Sequence, residues 1–289
     1  MSRICVLGGS GFLGSHVADK LSEIGHDVAV VDRLRSVWLR KDQEMVFADL
    51  LNPNSIDKAI DGAEIVYNFA GLADLNQALT MPIKTIELNV LGNMHVLEAC
   101  KSAGVDRYLF ASSIYVYSRE GGFYRCSKQS AENYIEEYQN VYGLNYTILR
   151  YGSLYGPRSG EDNGLFRIIR DALIQGKISY EGDPESVREY IHVEDAANSS
   201  VTALGTDFLN QSVILSGQQS MRVSDLLSML SEILGFQESP EFRGEDYAGH
   251  YVRTPYAYQP KLGRKYSPST HVDLGQGLLQ IIDDIRQQL

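Results

Sequence analysis

The chain has 289 residues, of which 44% are apolar and 22% charged. That is enough to bury a substantial core, and it excludes a disordered, collagen-like or disulfide-stapled chain. A formal net charge of −11 argues against a nonspecific nucleic-acid binder or a protein held on anionic lipid. Three cysteines, Cys5, Cys100 and Cys126, have no metal-ligand spacing and fit free thiols in a reducing, cytoplasmic setting. No apolar run approaches the roughly 20 residues of a membrane span.

The first third alternates strand with helix. A β-branched and apolar run at 3–7 predicts a buried strand, ended by Gly8, Gly9 and Gly11, so this stretch reads as strand and turn, not as a signal peptide. A helix follows at 12–24, closed by Gly25. Strands are expected at 28–31 and 45–48, a helix at 54–60, a strand at 64–69, one long helix at 82–103 and a strand at 107–111. This alternation predicts a doubly wound α/β fold with a parallel sheet covered on both faces. Beyond a helix at 124–142 and a strand at 145–150 the pattern loosens around Gly152, Gly156, Pro157, Gly160 and Gly164. Helices at 165–175, 223–234 and 274–288 and a strand at 189–193 complete the reading. The expected organisation is a nucleotide-binding domain over 1–158, to which the chain returns around 188–215, and a smaller α/β lid, mostly within 159–289, that binds substrate.

Gly8, Gly11 and Gly14 lie between the first strand and the first helix. Glycine there permits a tight turn and close approach of a pyrophosphate, which the helix N-terminus attracts through free N–H groups and its dipole. Asp32 ends the second strand, where a carboxylate can accept both ribose hydroxyls of a dinucleotide and repel a 2′-phosphate. That favours NAD over NADP, although the same residue could serve as a turn cap, and Arg33 and Arg35 could accommodate a 2′-phosphate.

Tyr124 and Lys128 stand four residues apart, on one face of a helix. A phenol titrates near 10, so it serves as a base at neutral pH only beside positive charge. The lysine and an oxidised nicotinamide supply such charge, and the phenolate could then remove a hydroxyl proton as hydride leaves the same carbon. With 18 tyrosines in the chain, such a pair alone is often an exposed coincidence. Ser112 and Ser113 close the strand at 107–111, where doubly wound folds place their ligand crevice.

The order of these features resembles the extended short-chain dehydrogenase/reductases. It runs through Gly8 to Gly14, Asp32, Ala48-Asp49-Leu50, Asn68-Phe69-Ala70-Gly71, Asn89-Val90, the segment from Ser112 to Tyr117, and Tyr124 with Lys128. It continues through 150–158, 188–195 and the tail around Leu262-Gly263. The nearest likeness is to the NAD-dependent epimerase/dehydratase branch, which acts on nucleotide-linked sugars and includes UDP-galactose 4-epimerase. The resemblance implies a role for each matching position. Gly8, Gly11, Phe12, Leu13 and Gly14 would hold the pyrophosphate of NAD, Asp32 and Arg33 the ribose region, and Asp49 with Leu50 the adenine. Phe69, Ala70, Gly71 and Leu72 would run past the nicotinamide side, and Tyr151 would also bind the cofactor. Tyr124 would be the base, Lys128 the cofactor anchor and Ser113 the catalytic hydroxyl, while Asn89 would support Lys128 through water. Ser153, Leu165 and Arg188 would meet a nucleotide-diphosphate sugar. The activity implied is epimerisation or oxidoreduction at sugar C4 by a homodimer. The alternatives are a one-way 4-ketoreductase or 4-dehydrogenase, or a noncatalytic dinucleotide-binding protein, which the intact Ser113, Tyr124 and Lys128 count against.

The departures from the family are specific. Six residues separate Tyr117 from Tyr124, a short loop. Ser153 replaces an asparagine common in relatives, Ile114-Tyr115 stands where 4,6-dehydratases carry an acidic pair, and His250 lies where relatives vary. Cys126, two residues from Tyr124, reads as packing in preference to a reactive thiol, and the six histidines show no metal spacing. Tyr134, Tyr138 and Tyr142 form a helical stripe that serves either the core or a dimer face.

Overall fold

Seven parallel strands form the central sheet: β1 (Arg3–Leu7), β2 (Asp27–Asp32), β3 (Gln43–Phe47), β4 (Ile65–Asn68), β5 (Arg107–Ser113), β6 (Tyr146–Tyr151) and β10 (Gln211–Leu215), in the order β10-β6-β5-β4-β1-β2-β3. Within each strand alternate residues go to opposite faces. Cys5, Leu7, Ala29 and Val31 join one core with Ile56, Val96 and Ile135, while Ile4, Val6, Val28 and Val30 join the other with Val17, Leu21 and Ala197. Burial on both faces explains why these strands read as near-continuous apolar runs. The first face is covered by α2 (Pro53–Ile60), α5 (Gly92–Ala103) and α6 (Gly122–Tyr142), and the second by α1 (Phe12–Glu23) and α8 (Val193–Thr202). The expected doubly wound parallel sheet is therefore present.

The computed structural model describes residues 1–218 and 220–243. The expected helix at 274–288, Leu262-Gly263 and His250 lie outside the described residues. Beyond β6, β7 (Ser153–Tyr155) and β9 (Val187–His192) run parallel, with β11 (Ser220–Arg222) antiparallel to β9, as a small sheet. A third core gathers Ala172 of α7 (Gly164–Gln175) with Ile178, Val223 and Leu227, the last two from α9 (Val223–Leu234). A short pair, β8 (Ser179–Glu181) and β12 (Glu241–Arg243), completes this half.

Two readings needed correction. The single helix expected at 82–103 is three segments: α4 (Pro82–Ile86), a π-helical stretch Glu87–Leu91, and α5. A further helix, α3 (Leu75–Thr80), precedes it, capped by the Asp74 carboxylate, which accepts from the Gln77 N–H at 2.8 Å. Between β9 and α9 the sequence suggested no element, yet α8 packs there with Val193, Ala196, Ala197 and Ser200 buried, and β10 pairs with β6.

Candidate functional site

The strand order reverses between β1 and β4, and their C-terminal ends, Leu7 and Asn68, are register partners. Helices leave toward opposite faces at this point, so a crevice opens beyond the strand ends. Gly8 and Phe69 continue the two strands into it. Gly8 has a φ of 73°, and a Cβ there would lie 2.7 Å from the Ala70 nitrogen. A Cβ on Gly14 would lie 2.3 Å from the Gly8 carbonyl oxygen, so turn and helix approach each other only as glycines. Gly11 caps α1 without a side-chain hydrogen bond, which leaves the first-turn N–H groups of Phe12, Leu13 and Gly14 free of helical partners.

A cavity of about 220 Å³ opens here, walled by Gly8, Gly11, Asp32, Arg33, Asp49, Leu50, Phe69, Ala70 and Gly71, all singled out from the sequence, and also by Ala48, Ile56 and Leu88. Of these additions, only Ala48 carried any trace, as part of the Ala48-Asp49-Leu50 motif. Asp32 is held in place by backbone: Oδ2 accepts from the Ser10 N–H at 3.2 Å and Oδ1 from the Leu34 N–H at 3.1 Å. Asp49 is turned in a similar way, its Oδ1 accepting from the Leu51 N–H at 2.9 Å. A glycine cradle that excludes a Cβ, a helix N-terminus, a carboxylate at the end of β2 and an apolar slot fit the pyrophosphate, ribose and adenine of a dinucleotide.

The reacting side lies at the end of β5. The Ser113 hydroxyl stands beside that of Tyr124, near enough to favour its ionised form. Lys128 is buried, donates to the Ala111 carbonyl at 2.7 Å, and lies 4.6 Å above the Phe110 ring and 5.8 Å from the centre of the Tyr124 ring. Tyr124 is only partly buried as a whole residue, but its hydroxyl sits deep: burial raises it to about 12, with Ser113 opposing. Burial likewise pushes Lys128 down to about 8, with Glu132 opposing. In the protein alone the phenol is therefore firmly protonated, and its activation requires added positive charge.

Asn89 does not point its amide at Lys128. Its Oδ1 accepts from the Leu72 N–H at 2.7 Å, and its Nδ2 donates to the Leu72 carbonyl and to Ser127 Oγ, each at 2.9 Å. The π-helical stretch adds a residue to the turn, which gives Leu88 to the cavity wall and Asn89 to this bridge. Asn89 thus ties the Phe69–Leu72 loop to the helix that carries Tyr124 and Lys128. Tyr151 departs from its implied role. Its hydroxyl is 2.6 Å from Ser200 Oγ and its side chain belongs to the core under α8, because alternation along β6 turns it away from the crevice.

A second cavity, about 650 Å³, is walled by Leu165, Tyr155, Tyr190, His192 and Met221 among others. Ser153 pairs in register with Tyr190, and Arg188 with Met221, but neither belongs to that wall among the described residues. Cys126 is exposed, and no cluster of histidine, cysteine or carboxylate among the described residues suits a metal. No helix among them is long and apolar enough to cross a membrane. The tyrosine stripe divides: Tyr138 is buried and donates to Glu98, whereas Tyr134 and Tyr142 are exposed.

Comparison with known proteins agrees with this geometry. A UDP-glucuronic acid decarboxylase 1 of Xenopus tropicalis is 26% identical over 99% of this chain and 73% of its own. The UDP-glucose 4-epimerase of Thermotoga maritima, solved with UDP-glucose, superposes with a TM-score of 0.81 at 26% identity, covering 99% of both chains. That of Thermus thermophilus, solved with NAD, gives 0.77 at 27% identity over 91% of this chain and 95% of its own. The family model for NAD-dependent epimerases and dehydratases matches residues 4–213, and with the glycine cradle, Asp32 and the Ser113, Tyr124 and Lys128 group in place, the chain belongs to the NAD-dependent epimerase/dehydratase family.

Proposed function

We propose that the chain is an NAD-dependent 4-epimerase of a nucleotide-linked sugar, with Tyr124 as its acid–base group. The observation that carries this reading is the convergence of Ser113, Tyr124 and Lys128 at the end of β5, tied through Asn89 to the loop that walls the cofactor cavity. NAD, when bound, supplies a hydride acceptor and donor and a cationic ring. Lys128 holds its ammonium beside the Tyr124 ring, and the added cationic ring would bring the phenol down from about 12 toward neutrality. Tyr124 then takes the proton of the sugar 4-hydroxyl, and Ser113 steadies the same oxygen by hydrogen bonding. Once the 4-ketosugar has turned in the site, C4 would regain hydride on its opposite face and Tyr124 returns the proton to the C4 oxygen.

Leu165, Ser153 and Arg188 are assigned to the nucleotide diphosphate. The 650 Å³ cavity that Leu165 helps to wall has room for a nucleoside. Leu91, Tyr134, Val141 and Tyr142, exposed on the π-helical stretch and α6, are assigned to contact with a second copy, which sedimentation at micromolar concentration checks. Ile114 and Tyr115 leave no carboxylate directly after Ser113, so no water is lost from C5 and C6. Incubation with a panel of nucleotide hexoses, read by NMR and mass spectrometry, tests the reading: an isomer of unchanged mass supports it, and a product lighter by one water contradicts it.

A further inference from the structure

Tyr124, Lys128 and Glu132 follow one another at single-turn spacing along α6. Glu132 is almost fully buried and takes no direct part in the proposed chemistry. Its Oε1 accepts from Ser112 Oγ at 2.5 Å and from Arg150 Nε at 3.0 Å, and its Oε2 accepts from Arg150 Nη2 at 2.7 Å. Arg150, in β6, also donates to the Tyr117 hydroxyl, and its guanidinium lies 4.8 Å from the centre of the Tyr117 ring. Ser112 immediately precedes Ser113, and Tyr117 ends the 3-10 turn Ile114–Tyr117 that follows it. The ion pair therefore grips the Ser113 segment at both ends.

We infer that the largely buried Glu132–Arg150 pair is a positioning device that keeps the Ser113 hydroxyl beside that of Tyr124 and sets the charge that Lys128 faces. This rests on the reading of Ser113, Tyr124 and Lys128 given above. The groups around Lys128 allow the charge effect to be signed. On its own helix it faces Tyr124 and Glu132. β5 presents the Phe110 ring and the Ala111 carbonyl, and the π-helical stretch presents neutral Asn89, bonded to the neighbouring Ser127. Arg150 of β6 and Tyr117 of the 3-10 turn reach it only through Glu132. The Glu132 carboxylate is thus the anion that favours the Lys128 ammonium. Without it Lys128 loses its proton at lower pH.

Removal of Glu132 alone would leave a buried guanidinium unpaired and endanger folding, whereas replacement of both partners is better tolerated. The test therefore compares Glu132→Gln/Arg150→Met with wild type, both loaded with NAD. The double variant is expected to stay folded and to bind NAD as wild type does. Its kcat should fall about tenfold or more with KM for the nucleotide sugar changed less than about threefold. The high-pH limb of its kcat–pH profile, where Lys128 loses its proton, should move to lower pH. A wild-type kcat and pH profile, or a loss of activity only in step with lost folded protein, would overturn the inference. Tyr124→Phe separates the two claims: if it is inactive while the double variant behaves as wild type, this inference alone fails. If Tyr124→Phe stays active, both fail.

Discussion

The two cavities of this molecule are built from different materials. The cofactor cavity is made largely of backbone: a glycine turn whose Cβ positions are sterically closed, a helix N-terminus, and carboxylates oriented by neighbouring N–H groups. Most of its parts follow β1, β2, β3 and β4 directly, so short stretches of chain specify them. The second cavity is walled by side chains from β7, β9, β11, α7, α8 and α9, brought together only by the tertiary fold. A backbone cradle recognises what every substrate of a family shares, whereas a side-chain wall can change residue by residue. On the proposed function the first site reports the chemistry, and the second the choice of substrate.

Four substitutions sharpen this contrast. The largest effect is expected for Tyr124→Phe: kcat falls by roughly a thousandfold, the scale of a lost acid–base group, while NAD still binds. Fluorescence titration together with product assay checks both halves. Lys128→Met should also abolish turnover, yet it should raise stability at pH 7. Burial holds Lys128 at about 8 against an ordinary 10.5, so between those pH values the unfolded chain keeps a proton that the folded chain has released. Wild-type stability attributable to this group therefore rises with pH across that window. The variant's advantage, up to about 3 kcal/mol at pH 7, should close near the upper limit in urea titrations.

Asp32→Ala acts on the cofactor cavity by removing the charge that would face a 2′-phosphate. The preference for NAD over NADP should narrow about tenfold, roughly 1.4 kcal/mol, as read by equilibrium titration. The smallest effect is expected for Leu165→Ala in the second cavity. KM for the nucleotide sugar should rise about threefold to tenfold, with kcat and NAD affinity unchanged. A change in NAD affinity would show that the two cavities are not separable.

The same contrast explains what the sequence disclosed. The glycine spacing was legible because steric closure at Gly8 and Gly14 admits no other residue, and the long helix α6 showed Tyr124 and Lys128 through its period. Residues 223–234 declared α9 by a strong apolar stripe. By contrast α8 was invisible: its buried face is Val193, Ala196, Ala197 and Ser200, mostly small residues chosen for close approach to α1, with little apolar periodicity to detect. The π-helical turn at Glu87–Leu91 lacks a proline or glycine to announce it, so the partners of Asn89 could not be read. Tyr151 was misplaced for a related reason. Its motif was visible, but the side of β6 on which it falls depends on how β6 meets β5 and α8.

The central claim, reversible oxidation at C4 through Tyr124, is tested most directly with a nucleotide hexose carrying deuterium at C4. The purified protein loaded with NAD is incubated with it, and the product is analysed by NMR and mass spectrometry. The account predicts a C4 epimer of unchanged mass that keeps the deuterium at C4, formed by wild type and not by Tyr124→Phe. Loss of the label to solvent, release of water or carbon dioxide, or equal product from the variant would contradict it.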